Sequence, residues 1–444
     1  MKLLTVAALL TLSGFARPAT GQEAVKPRVA ITVGDPILIA QAPADLNRGG
    51  PGWGRWQFPM ISRLADGRLL VTFTLEPDSY ASYGKPVGCA FSADEGATWR
   101  VGKPQARSAL DEGVLLPNGD RLKAVELTSL RAEDYELPQP VCNFVCSYRY
   151  PRSLYRVDKL PLEVRGWRFS RRAKESAEWV DESATVKIPD ELLHVTAEDA
   201  RGQAPSVGAT DAVIAGPLAR PHLWGKIRIA PDRSIWGVTY LWRMQGDRPR
   251  YAPVFLRSTD HGRTWAMVGE IGYTSNQGND RHADARDGFT EPDYNFRRDG
   301  SLICVMRTMD GNGHGPLFLA RSADNARTWT KPTVFDTFGK WPQLLTLGNG
   351  TTLASYGASG GPGYHVVRAT VDPQGQDWET PVRTRVSPVA RGAYDTCGHT
   401  EMVALDDRTA LLVYSDFNYP DADGVPRKSI LVRRIQVAAD AARP

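Results

Sequence analysis

The sequence Ser-Thr-Asp-His-Gly-Arg-Thr-Trp at residues 258–265 indicates the fold, because its pattern occurs three times. In chain order these residues are the second copy: the first, at 92–99, is Ser-Ala-Asp-Glu-Gly-Ala-Thr-Trp, and the third, at 322–329, is Ser-Ala-Asp-Asn-Ala-Arg-Thr-Trp. An Asp carboxylate accepts backbone N–H bonds inside a turn, and Gly adopts positive φ without strain. The pattern therefore predicts a hairpin turn followed by a strand that begins at Thr and Trp, with strain or a slightly changed turn at Ala326. Three copies indicate a repeat protein.

A second repeat consists of a polar turn followed by an apolar strand, with another apolar strand before the turn. Asp-Gly and Asn-Gly between apolar runs are strong hairpin signals. The six turns are Asp66-Gly67, Asn118-Gly119, Asp232-Arg233, Asp299-Gly300, Asn349-Gly350 and Asp406-Asp407. Six hairpins predict six units, with degenerate copies of the octapeptide at 170–179 and 371–378. The gap between the second and third hairpins is about twice the others and contains the Arg- and Tyr-rich stretch 149–172. Because the gap has no turn-plus-strand signal, a long insertion is favoured over a seventh unit.

The octapeptides resemble the Asp-boxes of the sialidase (neuraminidase) superfamily of β-propellers. In that family the boxes join the outer strands of each blade on the face away from the active site. The resemblance implies an all-β, six-bladed β-propeller, with seven blades as the alternative, over essentially the whole mature chain. Lyases, other glycosidases and non-catalytic propellers also carry the box, so it implies nothing direct about chemistry.

The N-terminus has the pattern of a secretory signal over residues 1–21: Lys2, an apolar run over 3–12, and small residues up to Gly21. The apolar run is too short to span a membrane. The expected organisation is a signal peptide at 1–21, an extension at 22–45 and a single propeller domain at 46–440. We expect a secreted or periplasmic monomer without stable membrane insertion.

Composition excludes several classes of function. The net charge of +4 over 444 residues and the lack of a dense basic run argue against nucleic-acid binding. The seven histidines lack metal-ligand spacing, so no metal or other cofactor is expected. Of the five cysteines, Cys142 and Cys146 could pair in a loop, whereas Cys89, Cys304 and Cys397 are expected to be small buried residues.

The hairpins also predict where a site lies. If the polar turns mark one face, then residues before each first strand and after each second strand converge on the axis at the opposite face. The residues before first strands are Arg55, Gln57, Asp111, Glu112, His222, Glu291, Lys340 and His399. The residues after second strands are Asp78, Glu126, Arg243, Arg307, Tyr364, His365 and Asp416. We expect Asp78, Glu291, Arg307 and His399 to line one pocket opposite the octapeptides.

The family resemblance covers about half of this candidate site. Sialidases use an Asp acid/base, a Tyr nucleophile assisted by Glu, and three Arg that bind a carboxylate. Glu291 and Arg307 match the Glu and one Arg, and Asp78 matches the acid/base by its place after the second strand. The chain departs from the family elsewhere. It has Gln57-Phe58-Pro59 in place of Arg-Ile-Pro, His399 in place of Tyr, and Tyr364-His365 in place of the third Arg.

Three functions remain open, and all involve an acidic oligo- or polysaccharide. In a sialidase-like exo-glycoside hydrolase, Asp78 protonates the leaving oxygen, Glu291 assists with His399, and Arg55, Arg243 and Arg307 bind the acidic sugar with Gln57, Lys340 and His365. In a polysaccharide lyase, Arg307 neutralises a uronate while His222, His399 or Tyr364 removes a proton. In a non-catalytic glycan-binding propeller, Trp53, Trp56, Trp224 and Trp341 form the binding surface.

Overall fold

The computed structural model describes residues 29–47, 54–78, 82–125, 130–197, 211–218, 220–273, 286–309, 315–358, 363–372, 378, 383–388 and 396–439. These ranges are almost entirely strand, turn and loop. Their helical parts are a single-turn helix α1 (Arg107–Leu110) and 3-10 turns at Ala44–Asn47, Ala132–Asp134 and Val157–Lys159. None of the described helices has the length and apolar character needed to cross a membrane. The predicted signal at 1–21, Trp53 and Glu126 lie outside the described residues.

The strands are numbered in chain order. The first half of the chain contains β1 (Val29–Val33), β2 (Ile37–Gln41), β3 (Gln57–Arg63), β4 (Leu69–Thr74), β5 (Val87–Ser92), β6 (Arg100–Val101), β7 (Val114–Leu115), β8 (Arg121–Ala124), β9 (Leu130–Arg131), β10 (Cys142–Val145), β11 (Pro151–Arg156), β12 (Trp167–Arg172), β13 (Val180–Lys187), β14 (Leu192–Thr196) and β15 (Pro217–Leu218). The second half contains β16 (Trp224–Ile229), β17 (Ile235–Gln245), β18 (Arg248–Ser258), β19 (Thr264–Glu270), β20 (Gly288–Phe296), β21 (Leu302–Met309), β22 (Leu317–Ser322), β23 (Thr333–Asp336), β24 (Lys340–Thr346), β25 (Thr352–Ala358), β26 (Tyr364–Thr370), β27 (Thr384–Arg385), β28 (Thr400–Ala404), β29 (Thr409–Pro420) and β30 (Pro426–Ala439).

All six predicted hairpins form. The polar turns join the antiparallel pairs β3–β4, β7–β8, β16–β17, β20–β21, β24–β25 and β28–β29. In each turn the first residue accepts a backbone N–H two residues on, as Asp66 does from Arg68 at 3.0 Å. In the first five turns a left-handed second residue completes the turn: Gly300 has φ 81°, and Arg233 takes φ 66° where the third turn lacks glycine. Asp407 in the sixth turn does not have positive φ.

The octapeptides form the predicted turns between third and fourth strands, joining β5 to β6, β18 to β19 and β22 to β23. In the second copy, Asp260 accepts the backbone N–H of Thr264 at 2.9 Å and the Thr264 hydroxyl at 2.6 Å. The third copy keeps the equivalent bonds from Thr328 to Asp324 at the same distances. Ala326 takes φ 60° where the other copies have glycine, so the turn is preserved with an alanine in the left-handed region rather than re-formed.

Four of the hairpins belong to sheets of more than four strands, and the other two belong to four-stranded sheets. Two four-stranded sheets contain β3–β6 and β24–β27. A larger sheet joins β7, β8, β12 and β13 to β16–β19 and β20–β23, partly through the parallel pairings of β13 with β19 and β18 with β20. The last sheet combines β28–β30 with β1 and β2, which both pair with β30. The predicted boundary at residue 46 therefore follows two strands that already belong to a sheet with the C-terminal strand.

The long gap between the second and third hairpins contains the expected insertion. It forms a separate sheet in the order β10-β11-β14-β15-β9, while β12 and β13 continue the sheet of β8. The degenerate octapeptide at 170–179 lies between β12 and β13; residues 373–377 of the other copy lie outside the described residues. Cys142 and Cys146 do not pair, and all five cysteines are free thiols. Four residues of extended chain span roughly 13 Å, too far for a disulfide.

The first strands of the later hairpins lie beside one another. β16 contacts β20, β20 contacts β24, β24 contacts β28, and β28 contacts β3. Ionic contacts connect these strands: Lys226 Nζ lies 2.9 Å from Glu401 Oε1, and Arg228 Nη1 lies 2.9 Å from Asp293 Oδ1. Because Lys226 is in β16 and Glu401 is in β28, side chains from strands distant in sequence meet at one polar centre.

Candidate functional site

The site is built where first strands begin, and a backbone irregularity shapes it. Phe58, Glu291 and Trp341 each precede a proline and each have positive φ, of 54°, 47° and 50°. Each lies at a register shift that adds residues to the first strand. Such bulges re-aim side chains, and left-handed backbone at a non-glycine residue costs on the order of 1–3 kcal/mol. These bulges were not predicted from the sequence, although a residue followed by proline near the start of three first strands indicates them.

Glu291 and Arg307 form the ion pair at the centre of the site. Arg307 Nη1 donates to Glu291 Oε1 at 2.7 Å, and the two side chains are only 10% and 13% exposed, respectively. The backbone N–H of Trp341 donates to the other carboxylate oxygen at 2.9 Å. Arg307 in β21 is the strand partner of Thr290 in β20. The end of a second strand and the beginning of its first strand therefore meet here, as the hairpin argument requires.

His399 lies between two aromatic rings next to this pair. Its imidazole stacks on Trp341 at a centroid distance of 3.6 Å and contacts Phe58 at 4.3 Å. Burial, together with the positive charges of Lys340 and Arg307, holds the pKa of His399 well below its usual range. The imidazole is therefore neutral near pH 7, with one nitrogen able to accept a proton or hydrogen bond.

Two further cations surround His399. Lys340 packs its side chain over Gly398, where a Cβ atom would lie 2.2 Å from Lys340 Cε. Burial and the charge of Arg307 lower the pKa of Lys340. Arg107, on α1, donates to Thr72 Oγ1 at 3.0 Å, and its charge also lowers the pKa of His399. Arg107 was missed because it lies between β6 and β7, outside the hairpin ends that the sequence argument considered.

The other candidates near β3 are placed differently. Gln57 is fully buried, and its Oε1 accepts the backbone N–H of Gly54 at 3.2 Å. Arg55 is exposed, and its carbonyl accepts a hydrogen bond from Lys428 at 3.0 Å. Asp78 is exposed at the end of a described range, four residues after Thr74, the strand partner of Gln57. Asp78 thus follows the second strand of the first hairpin, at the end of the sheet where β3 begins.

Two candidates are held by neighbours away from the Glu291–Arg307 pair. Arg243 donates to Glu270 at 2.8 Å and to the carbonyl of Pro189 at 2.6 Å. His365 is fully buried, with its ring nitrogens 3.0 Å from the hydroxyls of Ser387 and Thr396. These contacts give Arg243 and His365 structural roles: the first ties β17 to the insertion, and the second is closed off from a substrate.

His222 and Tyr364 lie at the margins. His222 is half-buried, and its Nδ1 lies 2.8 Å from the carbonyl of Arg220. Burial lowers the pKa of His222. Tyr364 is half-buried at the first position of β26, where it is the strand partner of Ala358 in β25. The structure therefore brings Glu291, Arg307, Lys340 and His399 together and leaves these two outside that cluster.

The assembled cluster suits an anionic ligand. Arg307, Lys340 and Arg107 supply three cations, whereas Glu291 is the carboxylate paired among them. A half-buried cationic site binds a carboxylate by charge-assisted hydrogen bonds. Among the described residues, no group of three His, Cys, Asp or Glu side chains could hold a metal ion. Neutral His399 and the carboxylate of Glu291 are the groups that can accept protons.

Comparison with known proteins identifies no family. No protein-family model matches the chain, and no curated protein matches it. Among solved structures, a protein of unknown function from Dyadobacter fermentans is similar, with a TM-score of 0.55, 16% identity, and coverage of 92% of this chain and 99% of that chain. This similarity shows a shared fold and gives no information about function.

Other similar structures are more distant. Trypanosoma rangeli sialidase has a TM-score of 0.42 and 13% identity over 86% of this chain and 55% of its own. Hadza microbial sialidase Hz136 has a TM-score of 0.45 and 15% identity over 87% of this chain and 66% of its own. The α-L-arabinanase of Penicillium chrysogenum has a TM-score of 0.44 and 14% identity over 90% and 98% of the two chains. The chain thus spans about half of one sialidase and just under two thirds of the other.

Proposed function

We propose that this protein is a sialidase-like exo-glycoside hydrolase acting on acidic glycans that contain sialic or uronic acid. The observation that carries the proposal is the half-buried Glu291–Arg307 pair, set among Lys340, Arg107 and neutral His399. A cationic cluster binds a sugar carboxylate, and the carboxylate of Glu291 supplies the group that glycoside hydrolysis requires.

The proposed architecture is a six-bladed β-propeller with the octapeptide turns on one face and the site on the other. Five groups of four strands and one of five support it: β3–β6; β7, β8, β12 and β13; β16–β19; β20–β23; β24–β27; and β28–β30 with β1 and β2. The bond between Lys226 and Glu401 also supports it, because it joins the third group to the sixth. Groups three apart face each other across the axis of a six-bladed ring.

The proposed roles follow from position. Arg307, Lys340 and Arg107 orient the acidic sugar by its carboxylate, and Glu291 stabilises or assists the group attacking the anomeric carbon. Asp78 is the proposed general acid, because it is exposed at the same end of the sheet and so can protonate a leaving oxygen. The pattern of residues 1–21 supports the proposal that the activity lies outside the cytoplasm.

A uronate lyase is the second candidate, and one observation favours it. His399 is kept neutral beside Lys340 and Arg307. A neutral imidazole next to cations that neutralise a uronate carboxylate can remove the C5 proton, and Lys340 can stabilise the resulting anion. In this reaction the C4–O bond breaks, the departing oxygen takes up a proton, and a 4,5-double bond forms without addition of water.

The test is product analysis with 3′-sialyllactose and polygalacturonate as probes. Hydrolysis releases sialic or galacturonic acid, whereas elimination produces an unsaturated uronate that absorbs ultraviolet light. We expect hydrolysis. Glu291→Gln should reduce kcat at least 100-fold, whereas the main effect of Arg307→Lys should be a higher KM. Arg63→Lys, which alters an exposed ion pair at the other end of β3, is the matched control. Unsaturated product would establish the lyase, and binding without any product would establish a glycan-binding protein.

A further inference from the structure

A continuous row of aromatic rings leads away from the cationic cluster. We call Trp341, Trp224, Tyr240, Tyr251 and Trp242 the aromatic wall. Successive centroids lie 4.9, 5.0, 5.3 and 3.8 Å apart. The wall begins at Trp341, whose ring stacks on His399 and whose backbone binds Glu291. It therefore starts in the candidate site and runs toward the inserted sheet.

The two ends of the wall differ in exposure. Trp242 and Tyr251 are 1% and 7% exposed, so they are part of the core. Trp341, Trp224 and Tyr240 are half-buried. Trp224 meets both of its neighbours edge to face, with interplanar angles of 69° and 73°. Half-buried rings beside a polar cluster offer an apolar surface that core packing does not require.

The inserted sheet fixes the buried end. Arg152 of β11 donates to the hydroxyl of Tyr251 at 3.0 Å, and Phe144 of β10 meets Trp242 edge to face at 4.8 Å. Polar groups lie at this end too. His194 of β14 contacts the ring of Trp242, and the charges of Arg152 and His222 act on the imidazole of His194. The insertion thus holds the wall rigid and adds hydrogen-bonding groups at its far end.

We propose that Trp224 and Tyr240 form a stacking subsite for a second sugar ring of an acidic oligosaccharide whose first ring occupies the cationic cluster. The inference rests on the proposed function for the identity of the first ring. The C–H face of a pyranose is apolar and its rim is polar, which matches aromatic rings flanked by cations on one side and histidines on the other. Because the inserted sheet anchors this subsite, the insertion becomes a determinant of substrate length.

The test measures affinity for short and long probes by isothermal titration calorimetry. The probes are galacturonic acid against trigalacturonate, and N-acetylneuraminic acid against 3′-sialyllactose. In at least one of these two series, we expect the wild-type protein to bind the longer probe at least tenfold more tightly than the shorter probe. Trp224→Leu should remove this preference while leaving the monosaccharide affinity unchanged, and Trp224→Phe should keep most of it. Trp99→Leu, which removes a half-buried tryptophan from the first octapeptide, is the matched control.

Several results would overturn the subsite. These are a length preference that persists in Trp224→Leu, equal affinities of the wild-type protein for short and long probes, or no binding in either series. Tyr240→Leu replaces Trp224→Leu if thermal unfolding shows that the latter is not folded. Arg307→Ala separates the two proposals: if it retains its affinity for all probes, the cationic carboxylate site is wrong, whereas the stacking subsite is judged by the Trp224 variants alone.

Discussion

Two ion pairs with the same shortest N–O distance show how differently the two ends of the strands are built. Arg63 and Glu95, beside the first octapeptide turn, have an N–O distance of 2.7 Å, as do Arg307 and Glu291 in the candidate site. The first pair is 31% and 54% exposed, whereas the second is 10% and 13% exposed. Solvent screens the charges of the first pair. The charges of the second pair have lost most of their hydration, so hydrogen bonds within the protein must replace it.

The two ends of the strands also differ in how far apart in sequence the hydrogen-bonded residues are. In the octapeptide turns the Asp carboxylate binds residues up to four positions away. Glu291 binds Arg307, 16 residues away, and Trp341, 50 residues away. The backbone N–H of Phe58 contacts the thiol of Cys397, which is 339 residues away. The turns are local structures, and the candidate site is assembled by the whole fold.

The largest expected effect on stability is at the buried pair. Arg307→Ala leaves the Glu291 carboxylate half-buried without its cation, which should cost about 3–5 kcal/mol of the free energy of unfolding. Arg63→Ala should cost no more than about 1 kcal/mol, because both groups of that pair reach solvent. Urea denaturation of the two variants measures the difference. Equal losses would show that the two pairs have equivalent surroundings.

A smaller effect is expected inside the octapeptides. Gly96→Ala places a methyl group 2.3 Å from Leu411 at a φ of 79°, so we expect a loss of about 2–3 kcal/mol from overpacking and left-handed strain. Ala326→Gly should change stability by less than about 1 kcal/mol, because relief of strain is offset by a more flexible unfolded chain and a lost buried methyl. Thermal or urea unfolding measures both. A large gain in Ala326→Gly would show that the third turn is strained beyond its φ.

The pH dependence of stability should also differ between a buried group, His365, and a group in an octapeptide turn, Asp94. Burial lowers the pKa of His365 to about 3, whereas an unfolded histidine titrates near 6.5. Below pH 6.5 the unfolded chain therefore binds a proton that the folded chain does not, and the free energy of unfolding falls by about 1.4 kcal/mol per pH unit for this group. Hydrogen bonds from Thr98 lower the pKa of Asp94 to about 2, so its stabilising contribution is lost only below about pH 4.

Denaturation between pH 6.5 and 4.5 tests this difference. His365→Gln should reduce the slope of stability against pH in that window by about one proton, whereas Asp94→Asn should lower stability without changing the slope. An unchanged slope in His365→Gln would mean that the buried imidazole takes up its proton in the folded protein.

The hairpin argument found part of the site, for a reason that particular residues illustrate. Glu291, Arg307, Lys340 and His399 lie at hairpin ends, and antiparallel pairing brings such ends together. Arg243 also follows a second strand, yet β17 continues past it and packs against the insertion, so Glu270 and Pro189 bind its guanidinium. The length of a strand decides which side chains reach the site, and the turn signals carry no information on that length.

The sequence by itself determined the six hairpins and the three octapeptide turns, because in each turn an Asp or Asn side chain and the backbone N–H groups that it binds lie within a few positions of each other. It did not determine that β1 and β2 pair with β30, that Phe58 and Trp341 enclose His399, or that Arg107 reaches the same cluster. Those contacts join residues tens to hundreds of positions apart. They depend on the register of the sheets, on bulges at three X-Pro steps and on the docking of the insertion, which only the packed tertiary structure decides.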